Sequence, residues 1–138
     1  MFGQKNCQFQ RPHLINQYIH FIDKADLVID LHEGWGYYFI DKESVGSGIY
    51  CESTNQDLHN TIKNIIDKVN NTIDDPKKYF GSKQKQLIDN SLSDYCINKK
   101  INYIGIETTG QNDIQPMQIR LNQLDIIVPH LLNYYNII

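Results

Sequence analysis

The sequence predicts an α/β fold for its 138 residues. Three observations carry this. Two short β-rich runs, at 27–31 and 102–108, are each followed by polar residues. Stretches whose apolar residues recur at helical spacing precede and follow them. The apolar share of 41% is enough for a packed core.

The elements follow in order. The first ten residues are polar and unpatterned. Pro12 opens a helix with Leu14, Ile15, Tyr18, Ile19 and Ile22 on one stripe, and Lys24 and Ala25 end it. Residues 27–31, Leu-Val-Ile-Asp-Leu, read as a buried strand. His32-Glu33-Gly34-Trp35-Gly36 reads as a loop in which the glycines permit a special backbone conformation. Residues 41–48 form an exposed loop, and 49–51 a short strand. A capping pattern at 54–57 begins an amphipathic helix marked by Leu58, Ile62, Ile65, Ile66, Val69 and Ile73, which Asp74-Asp75-Pro76 stops. A short helix is expected within 86–96. Residues 102–108 form the second buried strand and 109–113 a loop. Met117, Leu121, Leu124, Val128 and Leu131 line one face of a C-terminal helix, with a kink or break at Pro129.

Length and charge narrow the function classes. The chain is short enough for one domain, 1–138. A net charge of −3 does not suggest a nucleic-acid binder. No apolar run approaches the roughly 18 residues of a membrane span, and no secretory signal is visible. The three cysteines, Cys7, Cys51 and Cys96, are widely spaced and form neither a disulfide framework nor a zinc knuckle.

Two polar groups stand at the carboxyl ends of the buried strands, where open α/β sheets bind their ligands. They are His32 and Glu107. A neutral imidazole there can ligate a metal, and a carboxylate can take a proton from water. The alternative on spacing alone is a hydrogen-bonded histidine and a solvated strand-end glutamate. Glu33, next to His32 on an extended segment, points the other way and reads as a structural hydrogen-bond partner rather than a second ligand. Trp35 reads as a packing residue. His13, His59 and His130 read as solvated or capping residues, and His20 with Asp23 as a surface pair. Cys51 and Cys96 read as small core residues.

The string Asp-Leu-His-Glu-Gly-Trp-Gly-Tyr-Tyr (30–38) resembles the segment that carries the third zinc ligand in the zinc carboxypeptidase superfamily. It looks most like the peptidoglycan D,L-carboxypeptidases that determine cell shape in curved and helical bacteria. Tyr-Ile-Gly-Ile-Glu-Thr-Thr (103–109) is similar to that group's later strand, whose glutamate is the general base. The Gln118-x-Arg120-x-x-Gln123 helix also fits. The resemblance spans most of residues 14–132 and implies a carboxypeptidase-like mixed sheet flanked by helices.

By that resemblance His32 is a zinc ligand and Glu107 activates the attacking water. Tyr37 and Tyr38 line the substrate cleft, with packing as the other reading of both. The partner is a peptidoglycan-derived peptide and the location the periplasm. The family also uses an earlier His-x-x-Glu or Gln-x-x-Glu pair and an upstream arginine for the substrate carboxylate. No such pair occurs in the 31 residues before His32, and nothing positions Arg11 as the clamp. The expectation is therefore a C-terminal portion of a catalytic domain, completed by an N-terminal fragment, with an exposed sheet edge. A degenerate relative that has lost the metal, or a site completed by a partner chain, would also account for the incomplete ligand set. The same scaffold and the same two residues would also serve an aspartoacylase or succinylglutamate desuccinylase-like amide hydrolase. A non-enzymatic pseudoenzyme or interaction module is the third possibility.

Overall fold

The structure is a computed structural model that describes residues 11–83 and 91–138, with side chains from residue 16 onward except that of Lys83. Helix α1 (Arg11–Ile22) leads to strand β1 (Leu27–Gly34), and β2 (Gly48–Cys51) is followed by α2 (Gln56–Asn70). A 3-10 turn (Pro76–Lys78) precedes β3 (Gly81–Lys83), and α3 (Leu92–Asn98) precedes β4 (Asn102–Thr109). A second 3-10 turn (Gln111–Asp113) joins β4 to α4 (Met117–Tyr134). The mixed α/β architecture expected from the sequence is present.

The four strands lie in the order β1-β4-β2-β3. Strand β2 runs parallel to β3 and antiparallel to β4, with Gly48 opposite Glu107 and Ile49 opposite Ile106. Strands β1 and β4 lie side by side. The Thr108 hydroxyl donates to the His32 carbonyl, and the Gly110 N–H to that of Gly34. The paired numbers rise together, so both strands end at the same edge of the sheet.

The chain folds as two compact units. One contains α1, α3 and the first residues of β1 and β4. Within it Ser91 caps α3 by accepting from the Asp94 N–H, Cys96 is fully buried, and the Tyr95 hydroxyl donates to Asp23. The His20 ring lies against Phe21.

The other unit contains the rest of the sheet with α2 and α4. Its core follows from residue periodicity. Leu58, Ile62, Ile65, Ile66 and Val69 fall on one side of α2, which packs on α4, β2 and β3. Ile49, Ile104 and Ile106 share one sheet face and are fully buried, as are Ile127 and Leu131 of α4. Each such side chain contributes about 1.5–3 kcal/mol by leaving water. Asn55 begins α2, its side chain accepting from the N–H groups of Asp57 and Leu58.

Several expectations are corrected. Strand β1 runs on to Gly34, so His32 and Glu33 are strand residues and not loop residues. Among the described strands it stands at the end of the sheet, and it is only half buried, with Leu31 52% exposed. Helix α2 ends at Asn70, because Asn71 caps it, and leaves Ile73 outside. Strand β3 has no signal in the sequence, since three residues give too little periodicity. The helix expected within 86–96 begins at Leu92, and residues 86–90 lie outside the described residues.

Helix α4 is not broken at Pro129. Its buried residues are Gln123, Ile127 and Leu131, while Met117 and Leu121 are exposed. The buried stripe turns around Gln123 because that amide is satisfied internally, by reciprocal hydrogen bonds with Gln115. Trp35, expected to pack, is 40% exposed.

Candidate active site

On an extended strand, residues two apart share a face. Asp30, His32 and Gly34 therefore project from one face of β1, and Leu31 and Glu33 from the other. His32 Nε2 lies 2.8 Å from Asp30 Oδ2. The imidazole is half exposed and the aspartate mostly covered.

Glu107 projects to the same face as His32. Its Oε2 lies 3.1 Å from the point that a Cβ on Gly34 would occupy. The carboxylate thus lies over the bare backbone of β1, two residues beyond His32. The structure brings the two residues singled out from the sequence to one face, at the common end of two neighbouring strands.

Tyr50 joins them on that face, two positions along from Gly48 on β2. Burial pushes its hydroxyl up to about 12, and the negative charge of Glu107 adds to the shift. Its hydroxyl donates to the Val45 carbonyl at 2.9 Å.

The segment between β1 and β2 folds onto the strand ends. Thr109 organises it: its hydroxyl donates to the Gly36 carbonyl at 2.6 Å and lies 2.8 Å from Ser47 Oγ. Gly46 donates to the Trp35 carbonyl and accepts from the Tyr38 N–H. A Cβ on Gly46 would fall 2.1 Å from Thr109 Oγ1, so only glycine allows this approach.

The two tyrosines differ. Tyr37 is 7% exposed, with Lys78 Nζ 5.9 Å from its ring centroid. Burial, then the charge of Asp75, raises its hydroxyl pKa. Tyr38 is half buried and packs edge-on against the exposed Phe39.

The other face of β1 carries a second charged group. Glu33 Oε2 is 2.7 Å from Arg120 Nη1, and the arginine side chain is only 13% exposed. Its Nε is buried and has no hydrogen-bond partner among the described residues. Glu33 is thus a structural partner, as its place beside His32 predicted. Sequence reasoning missed its partner, and it also missed Asp30 as the group that holds His32. The second was findable, since an Asp two residues before a His on a strand shares its face.

A catalytic zinc normally takes three protein ligands and keeps one position open. Among the described residues no group of three His, Cys, Asp or Glu side chains could hold a metal ion. His32 has the right donor chemistry for one ligand, so by themselves these residues do not make a complete zinc site.

The remaining candidates are occupied elsewhere. His59 Nε2 lies 2.6 Å from the Ser53 carbonyl. His130 contacts the Ile126 carbonyl through Nδ1 and Lys68 Nζ through Nε2, each at 2.7 Å. Burial, aided by Glu52, pushes the Cys51 thiol up to about 11. Cys7 and the side chains of Arg11 and His13 lie outside the described residues.

The fold, a mixed four-stranded sheet with flanking helices, is one that solved structures share. Similar solved structures include those of the cell shape determinant Csd4, a D,L-carboxypeptidase from Helicobacter pylori. The product-bound form superposes with a TM-score of 0.75 at 20% identity, covering 100% of this chain and 37% of that one. The mDAP-bound form gives 0.74 at 19% identity with the same coverage. The apo form gives 0.74 at 20%, covering 100% of this chain and 36% of that one. The chain therefore spans little more than a third of the length of the structures whose fold it shares. No family model matches it, and no curated protein does.

Proposed function

We propose that the chain carries part of the catalytic domain of a zinc-dependent D,L-carboxypeptidase that trims peptidoglycan-derived peptides in the periplasm. The observation that carries this reading is the shared face of His32 and Glu107 at the common end of β1 and β4. The fold likeness to Csd4, known in mDAP-bound and tripeptide-bound forms, supports it.

In this reading Glu107 is the general base. It takes a proton from the attacking water and delivers it to the departing amine, which requires about 2.6–3.2 Å between the carboxylate and that water. The lean of Glu107 over Gly34 holds the carboxylate above the strand end. Asp30 fixes the orientation of the His32 ring through Nε2. Tyr38, with Phe39 beside it, forms the cleft wall. His32 is one metal ligand, and the others come from outside the described residues, from a complementing N-terminal segment. Zinc, when bound, polarises the scissile carbonyl and lowers the pKa of water to about 7.

The test is zinc content and release of the terminal residue from a muropeptide tripeptide, with the complementing N-terminal segment present, in the wild type and in Glu107→Gln. Stoichiometric zinc with cleavage lost in the variant is the expected result. Undiminished cleavage in the variant would remove the base.

The lack of a three-ligand group among the described residues favours one second reading, a peptide-binding module that has kept the fold without the metal. Muropeptide binding without zinc would select it.

A further inference from the structure

We propose that the ion pair between Glu33 and Arg120 is a bracket that holds the His32 imidazole and the Glu107 carboxylate at a fixed spacing. The proposal rests on the reading of those two residues as a hydrolytic pair, and assigns Arg120 as a positioning residue for it.

Among the described strands β1 ends the sheet order, with β4 beside it. The carboxyl end of such a strand is free to fray unless side chains hold it. Glu33 adjoins His32 in the chain and faces the other way, so a pull on Glu33 sets where His32 stands. Arg120 supplies that pull at 2.7 Å.

The same guanidinium lies against Gly110. A Cβ there would fall 2.4 Å from Nη1, 2.5 Å from Cζ and 2.7 Å from Nε, so the arginine fits only because residue 110 has no side chain. Gly110 is three residues beyond Glu107, and its N–H donates to the Gly34 carbonyl. One planar group therefore touches both strand ends, one residue past the proposed ligand and three past the proposed base. Gln111 reinforces it by donating to the Glu33 carbonyl at 3.0 Å.

The surroundings fit a bracket better than a binding group. Arg120 pairs with the face of β1 opposite His32, so it does not reach a substrate carboxylate held beside the imidazole. Its Nε is buried without a hydrogen-bond partner among the described residues. A guanidinium so poorly solvated depends on the Glu33 carboxylate more strongly than a surface cation does.

The experiment uses the full chain together with the complementing N-terminal segment, added zinc and a muropeptide tripeptide, comparing wild type, Glu33→Gln and Gly110→Ala. Glu33→Gln keeps the shape and removes the charge. Gly110→Ala keeps both charges and evicts the guanidinium. A displacement of about 1 Å at a reacting pair costs up to about 100-fold in rate. Both variants are expected to lower kcat about 10- to 100-fold with KM within about twofold of wild type. Hydrogen exchange at the Gly110 amide is expected to quicken, with the amides of β2 unchanged. Unchanged kcat in both variants, or a raised KM with kcat kept, would overturn the proposal. A wild-type chain without activity would remove the hydrolase reading instead, and exchange then decides: unaltered protection of Gly110 in Glu33→Gln overturns the bracket, and faster exchange retains it as a lock on the strand ends.

Discussion

The Glu107 carboxylate crosses from β4 to lie above Gly34 of β1, with Oε2 3.1 Å from the position of the missing Cβ. The same missing Cβ would fall 2.9 Å from the Gly46 backbone nitrogen. One methyl group at this point therefore presses on both the proposed base and the loop that covers it. Gly34→Ala is expected to destabilise the fold by about 1–3 kcal/mol through overpacking. Thermal or urea unfolding measures the stability, and tripeptide turnover at temperatures where both proteins remain folded measures the displaced base. Wild-type stability and turnover together would show that the site relaxes freely around the methyl.

Under the proposed zinc reading, the 2.8 Å contact between Asp30 and His32 predicts a role in metal affinity. Carboxylates that hold a ligating imidazole typically contribute about 10- to 100-fold in affinity. Asp30→Ala is expected to weaken zinc binding by that factor with the far-ultraviolet circular dichroism unchanged. Competition against a chromophoric chelator reads it directly, and equal affinities would leave Asp30 with no part in metal binding.

Tyr50 makes the alkaline stability of the protein predictable in sign. Its hydroxyl sits at about 12 in the folded chain against an ordinary 10. The folded state thus keeps a proton that the unfolded state sheds. The stabilisation is complete below pH 10 and is lost as pH rises through about 12. Tyr95 is also pushed up to about 12, and Tyr37, Tyr134 and Tyr135 are raised. Phenolate absorbance should therefore lag for several tyrosines, and Tyr50→Phe should remove one share of that lag and flatten part of the decline in stability over that range. A variant that declines as steeply as wild type would assign the alkaline loss to other groups.

Cys51 is expected to be a sluggish nucleophile. A thiol raised from 9 to about 11 holds about 100-fold less thiolate at neutral pH than one at its ordinary value. Peptide mapping after timed alkylation of the folded chain should find it modified far more slowly than after unfolding. Equal rates in both states would mean that its burial is transient.

Much of this arrangement is readable from local pattern. The apolar spacing of α2, the β-rich composition of β1 and β4, and the placement of His32 and Glu107 near the strand ends all depend on residues close in sequence. Such patterns report faithfully because a helix face and a strand face repeat with fixed periods. Local pattern misleads where a partner distant in the chain decides. Met117 and Leu121 match the apolar stripe of α4 in spacing, yet the helix buries Gln123, because Gln115 satisfies its amide. Strand β1 continues through His32 and Glu33 because Thr108, Gly110 and Gln111, some 76 to 78 residues away, engage its carbonyls.

The order of residues alone therefore determined the mixed α/β class and singled out the two side chains of the proposed site, since a strand-end histidine and glutamate are visible as soon as the strands are. Only the tertiary structure decided that those side chains share a face, that Asp30 holds the one and bare Gly34 admits the other, and that Arg120 reaches Glu33 behind them. Those relationships join β1 to β4 and α4 across long intervals of chain. The spacing of residues along a sequence carries no measure of distance through space.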